Sequence, residues 1–145
     1  MNFTIRPARA DDMETLRTLV AAMGYEVGSD ELGSRLRALP DGHAVFLAES
    51  GSAGVGWIHV LGSHSLIVGP RAEIGGLAVA PGFQGSGIGS ALLAAAEDWT
   101  AQRGVPTIYL RSGAERTQAH AFYLARGYRA VKTQLALTKS LGTRP

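Results

Sequence analysis

The chain has 145 residues, 46% of them hydrophobic and 18% charged, which at roughly 150 residues to a domain describes one globular domain over 1–145 that needs no disulfide or metal staple. Its 14 Lys and Arg against 12 Asp and Glu leave a formal charge of +2, with no basic run of the kind that grips nucleic acid. The absence of cysteine excludes disulfides, thiolate zinc sites and a cysteine nucleophile.

The opening residues lack the apolar core of a signal peptide, and no stretch approaches the ~18 apolar residues of a membrane span. A soluble cytoplasmic protein with no membrane or nucleic-acid partner is expected, as a monomer or a homodimer. Residues 3–6 read as a short strand. Asp11 and Glu14 stand at capping-box spacing, with Asp in place of Ser/Thr,. Met13, Leu16, Val20 and Met23 then recur at helical spacing until Gly24,. Ser29 and Asp30 can cap a second helix carrying Leu32, Leu36 and Leu39 on one face. Strands are expected over 44–48, 55–61 and 73–79, with a polar loop over 62–70. A long helix begins near Gly85 or Ser86, carries Ile88, Leu92, Ala95 and Trp99 on one face, and stops at Gly104. A strand over 105–110, a helix over 115–126 and two closing strands over 128–131 and 134–137 complete the order β-αα-βββ-α-β-α-β(β). This is an α/β (α+β) domain with a mixed sheet.

Glycine is the compositional outlier, with 19 residues, of which six lie between Gly75 and Gly89. They occupy a strand, a turn and the start of a helix. A helix N-terminus carries unpaired N–H groups and partial positive charge, and glycines let an anion approach them without a Cβ in the way. Gly85, Gly87 and Gly89 therefore read as a pyrophosphate cradle, where the plain alternative is a flexible turn with helix-packing glycines. A nucleotide P-loop is excluded, because no Gly-Lys-Ser/Thr is present. The dinucleotide fingerprint also fails: Ser90 stands where its third glycine belongs, and no acidic residue closes the next strand.

The run Leu77, Ala78, Val79, Pro81, Gln84, Gly85, Ser86, Gly87, Ile88, Gly89 resembles the acetyl-CoA signature of the GNAT N-acetyltransferase superfamily, whose core is Gln/Arg-x-x-Gly-x-Gly/Ala. The later Phe122-Tyr123 and Gly127-Tyr128 pairs resemble that superfamily's closing motif, about 30 residues on. The resemblance covers nearly the whole chain. It implies a mostly antiparallel central sheet flanked by helices, and acetyl-CoA as co-substrate without a metal. Leu77, Ala78 and Val79 are then expected to pair with the pantetheine arm like an added strand, one of their N–H groups polarising the thioester carbonyl. The backbone of Gly85, Ser86, Gly87, Ile88, Gly89 and Ser90 is expected to hold the pyrophosphate. Tyr123 matches the tyrosine near the CoA sulfur, and Glu73 the acidic position that serves some members as base. One departure is Arg116, which stands where many members carry a cofactor-contacting Asn.

Acetyl transfer to an amine needs a deprotonated acceptor, a stabilised oxyanion and a proton for the leaving thiolate. Tyrosine, with a reference pKa of ~10, stays protonated at pH 7 and can donate. That gives Tyr123 a chemical role, against the alternative of a ring packed beside Phe122. Glu73 can take the first proton through water, or be a solvated strand-end carboxylate. Direct transfer in a ternary complex follows, because no cysteine can carry an acyl group. The four histidines show no metal-ligand spacing. His43 and His59 lie on or beside strands, His120 reads as a structural hydrogen-bonder, and His64 as a weak acceptor-site candidate.

Residues 23–28 and 62–70 correspond to the family's acceptor-facing segments. Glu26 and Asp30, with Glu73, are the carboxylates there able to attract a cationic amine, although ordinary surface charge explains the first two. A small-molecule amine is the expected acceptor. Protein N-termini or lysines, and a non-catalytic CoA-binding module, are the alternatives.

Overall fold

The computed structural model describes residues 2–143, which fall into two compact units, one ending at Leu110 and the other beginning at Arg111. The first unit contains β1 (Thr4–Pro7), α1 (Met13–Ala22), α2 (Ser29–Ala38), β2 (His43–Ser50), β3 (Ala53–Ser65), β4 (Gly69–Val79), α3 (Ile88–Gln102) and β5 (Ile108–Leu110). Its five strands form one sheet in the order β1-β2-β3-β4-β5. Neighbours are antiparallel except β4 and β5, which run parallel. A parallel pair needs a crossover, and α3 supplies it.

Side chains from the two faces of the sheet enter different packing layers. Leu47 joins Met13, Leu16 and Leu19 of α1 in a buried cluster, with Leu32 and Leu36 of α2 and Trp57 packed against it. Trp57 lies directly opposite Leu47 and so shares its face,. The other face receives α3, whose Ile88, Leu92, Leu93 and Ala96 are buried. A Cβ at Gly56 would lie 3.0 Å from both the Ala78 carbonyl oxygen and Leu92 Cδ1, and 3.1 Å from Ile88 Cγ2. Only glycine lets the first turns of α3 settle so closely on β3 and β4.

The α-helix after β1 is entered one residue later than the spacing predicts. Asp12, not Asp11, is its N-cap, and the Asp12 carboxylate turns back to accept from the Arg9 N–H at 2.6 Å. The buried face of α1 runs through Met13, Leu16 and Leu19, rather than continuing through Val20. The expected polar loop over 62–70 is mostly strand: β3 and β4 pair out to Ser65↔Gly69. Both faces of this hairpin end are polar or small, so no hydrophobic alternation betrays it, and the backbone ladder alone defines it. Its turn is closed by Val68 N–H donating to Ser65 Oγ at 2.9 Å, with Gly69 at φ +79°.

Among the described residues of the second unit there is one helix, α4 (Thr117–Leu124). The two expected closing strands are not formed: residues 128–143 contain no strand, and Leu135 and Leu137 are 87% and 88% exposed. Alternation of apolar and polar residues permits a strand, but a strand exists only where a neighbouring ladder accepts it, and no ladder includes this segment. Among the described residues, no helix is long and apolar enough to cross a membrane.

Candidate active site

β4 changes character at Gly75. Against β3 it pairs Leu77 with Ile58 and Gly76 with His59, and then Ile74 with Val60, so Gly75 is an extra residue and the strand bulges there. Against β5 it pairs only through Ala72↔Ile108, Glu73↔Tyr109 and Ile74↔Leu110. A bulge bends and twists its strand, and β5 ends where the bend begins. Among the described residues no strand pairs with Leu77, Ala78 or Val79 on that side. One edge of this stretch is held by β3 and the other offers main-chain N–H and C=O groups, the form that accepts an extended ligand. The adjacent glycines are the sequence signal for the bulge.

β4 leads directly into the glycine turn. Ala80 N–H donates to the Val55 carbonyl at 2.8 Å, and Phe83 N–H donates to the Ala80 carbonyl at 3.0 Å. The Ser86 hydroxyl donates to the Phe83 carbonyl. Gly85 and Gly87 have φ of +79° and +89°, which side-chain-bearing residues rarely adopt, and nothing lies within 4 Å of a Cβ built on either,. Gly87 is the N-cap of α3 and supplies no side-chain acceptor. The first turn of α3 thus starts without a capping side chain, beside open space, which is the arrangement that receives an anion. Ile88 is buried and anchors this start, while Gln84 is exposed on the turn.

Glu73 is half-buried and lies directly opposite Leu61 and Tyr109. The Arg71 guanidinium stacks over the Tyr109 ring at 3.8 Å. On the same face, His43 Nδ1 and His59 Nε2 are 3.0 Å apart. Burial, and secondarily the charge of His43, push the His59 imidazole below the usual histidine range. Trp57 spreads over Gly76, where a Cβ would fall 2.4 Å from the indole Cη2. His64 is exposed near the end of β3. Residues 23–28 form the non-helical link between α1 and α2, with Glu26 exposed. Asp30 lines a groove of about 370 Å³ with Asp11, Glu14 and Arg37.

In the second unit, Arg116 is the exposed N-cap of α4. The Tyr123 ring meets Phe122 and Tyr128 edge-on, with centroids 5.2 and 5.6 Å away. Burial raises the Tyr123 hydroxyl above the usual tyrosine value, with Arg116 opposing. The phenol is therefore a proton carrier at neutral pH. His120 Nε2 donates to the Gly113 carbonyl at 2.8 Å and braces the turn before α4, the structural role its position suggests. Among the described residues, no cluster of three or more His, Asp or Glu is arranged to hold a metal.

The sequence model of the acetyltransferase (GNAT) family matches residues 13–128. An aminoglycoside N(6')-acetyltransferase type 1 from Stenotrophomonas maltophilia is 34% identical over 131 residues, covering 86% of this chain and 85% of its own length. An aminoalkylphosphonate N-acetyltransferase from Salmonella typhimurium is 41% identical over 69 residues, 48% of this chain and 44% of its own. Among solved structures, that of AAC(6')-Iy in complex with a CoA-linked acetylneamine bisubstrate analogue superposes with a TM-score of 0.84 at 20% identity, over 97% of this chain and 99% of that one. At that identity the likeness is one of fold.

Proposed function

The chain belongs to the acetyltransferase (GNAT) family and is an acetyl-CoA-dependent acyltransferase, and from that premise we propose that it passes the acetyl group directly to the primary amine of a small molecule. The observation that carries this reading is the unpaired edge of Leu77, Ala78 and Val79 running into an uncapped, glycine-lined helix start. The edge suits the amides of a pantetheine arm, and the helix start suits a pyrophosphate.

Each residue then has a task set by its chemistry. Main-chain groups of Leu77, Ala78 and Val79 align the thioester, and one N–H stabilises the oxyanion as it forms. Gln84, Gly85, Ser86, Gly87, Ile88, Gly89 and Ser90 hold the phosphates, and Arg116 adds a cation toward the cofactor. Glu73 attracts the ammonium and takes its first proton through water, leaving a neutral amine to attack the carbonyl carbon. Tyr123 gives its proton to the departing thiolate and regains one from solvent. The acceptor class is supported by the relatives: their names specify an aminoglycoside and an aminoalkylphosphonate, both small amines.

The test is CoA thiol release from acetyl-CoA, read with a thiol reagent. The chain has no cysteine to contribute background. Aminoglycosides, aminoalkylphosphonates and lysine peptides are offered in turn. Release with a small amine, with intersecting double-reciprocal lines, is the expected result. Release only with peptides would replace the acceptor class, parallel lines would contradict direct transfer, and silence toward all amines despite acetyl-CoA binding would indicate a CoA-binding module.

A further inference from the structure

Acetylation of an ammonium ion must shed two protons from nitrogen, one before attack and one from the tetrahedral adduct. Glu73 accounts for the first. We propose that the second leaves through the paired imidazoles of His59 and His43, with His59 Nδ1 as the acceptor and His43 as the outlet. This deepens the acetyl transfer proposed above and rests on it.

The geometry places the pair on the reacting strand. His59 is directly opposite Gly76, the residue before the unpaired edge, and Leu61 is opposite both Glu73 and His43. Directly opposed residues share a face, so both histidines and Glu73 lie on one side of the sheet. A Cβ at Gly75 would lie 3.0 Å from His59 Nδ1, so that edge of the ring rests over the bulge of β4. The opposite edge of the ring, at Nε2, meets His43 Nδ1 at 3.0 Å. Neither imidazole has another hydrogen-bond partner among the described residues. His59 is half-buried, and its Nδ1 edge faces the bulge that precedes the unpaired stretch of β4.

A single hydrogen fits between the two facing nitrogens, so one ring donates and the other accepts,. In the neutral pair His59 Nε2–H donates to His43 Nδ1, and His59 Nδ1 holds a lone pair. As the new C–N bond forms, the N–H bond of the adduct breaks and its proton bonds to His59 Nδ1. The proton on His59 Nε2 moves to His43 Nδ1, and His43 Nε2–H releases its proton to water. Before the next turnover His59 Nδ1–H passes to water, His43 Nε2 takes a proton back from water and the shared hydrogen returns to His59 Nε2, which restores the starting tautomers with no further net release. The thiolate takes its own proton from Tyr123, so one proton per turnover reaches solvent. Also on this face are Glu73 and Arg71 of β4, Tyr109 of β5 and, opposite Leu47, Arg6 of β1, whose charge is paired with Asp12 and Glu49. The α1 and α2 side chains in the cluster around Leu47 on this face are Met13, Leu16, Leu19, Leu32 and Leu36, none titratable, and the buried Asp12 carboxylate at the start of α1 is paired with Arg6. Burial and the neighbouring ring keep His59 unprotonated at neutral pH, the state that can accept.

The pH dependence of kcat separates this role from a structural one. In the wild type, kcat should fall toward acid as His59 takes up a proton, below the ordinary histidine value of ~6.5,. His59→Gln should lower kcat roughly 10²-fold, abolish that acid limb, and leave the KM for acetyl-CoA and the melting temperature near wild type. His43→Gln, which removes the neighbouring charge, should move the limb to higher pH with a smaller loss of rate. An acid limb that survives His59→Gln unchanged overturns the proposal, as does a loss that appears in melting temperature and KM alike. A wild type silent toward every amine fails the transferase reading itself and the relay with it. A working wild type with an indifferent His59→Gln fails the relay alone.

Discussion

Arg6 donates to both carboxylate oxygens of Asp12 at 2.8 Å and to Glu49 at 3.1 Å. The Arg6 and Asp12 side chains are 16% and 9% exposed. Asp12 also accepts the Arg9 N–H, so one carboxylate joins β1, the entry to α1 and, through Arg6, the end of β2. The Arg6 guanidinium, more than the Arg9 N–H, holds the Asp12 carboxyl below the usual range, against the opposing effect of burial. A carboxylate with a lowered folded-state pKa stabilises the fold fully above its unfolded value of ~3.9, and that contribution is lost as pH falls through the folded value. Asp12→Asn should therefore cost roughly 2 kcal/mol at pH 7, between an exposed pair at under 1 and a buried pair at 3–5. The deficit should shrink toward pH 3 when urea melts are compared. A deficit independent of pH would show that Asp12 acts through shape instead of charge. The acidic start of this helix is visible in the sequence. The choice of Asp12 over Asp11 is not, because it depends on where β1 presents Arg6.

At the scale of the element, β4 unites the site's parts. It pairs with β5 up to Ile74, bulges at Gly75, passes under Trp57 at Gly76 and then offers a free edge. The two glycines carry different constraints. A Cβ at Gly75 meets His59 Nδ1 at 3.0 Å and Leu61 Cδ2 at 3.2 Å, whereas one at Gly76 meets the rigid indole of Trp57 at 2.4 and 2.9 Å. Gly76→Ala should thus destabilise by about 1–3 kcal/mol, the range for overpacking, and shift the indole fluorescence. Gly75→Ala should cost less. Equal stability of Gly76→Ala and wild type would mean that Trp57 moves aside freely. The strand itself could be read from the sequence, as could α3, because apolar periodicity marks elements with one buried face. The β3–β4 hairpin end escaped for the opposite reason: it buries neither face, so only hydrogen bonds define it. The segment 134–137 erred the other way, carrying strand alternation with no ladder to join.

For the molecule as a whole, the site candidates in the sequence were those whose chemistry is local. The glycine turn is legible because positive φ and a bare helix start require glycine at fixed positions. Gly85 and Gly87 adopt that conformation at the entry to α3. The family resemblance read from the two motifs agrees with the match over residues 13–128. The contact of His43 with His59 was not legible, since it spans 16 positions and depends on the register of β2 against β3.

The proposed seat of acetyl-CoA is the free edge of β4 together with the start of α3. Calorimetric titration of acetyl-CoA into wild type and Gly87→Val tests it most directly. A Cβ at Gly87 meets nothing within 4 Å, but a β-branched residue resists its φ of +89°,, so the substitution deforms the turn without striking the core. Micromolar binding by the wild type, lost in Gly87→Val with the far-UV spectrum retained, is the expected result. An inert wild type, or a Gly87→Val chain that binds as tightly, would contradict it.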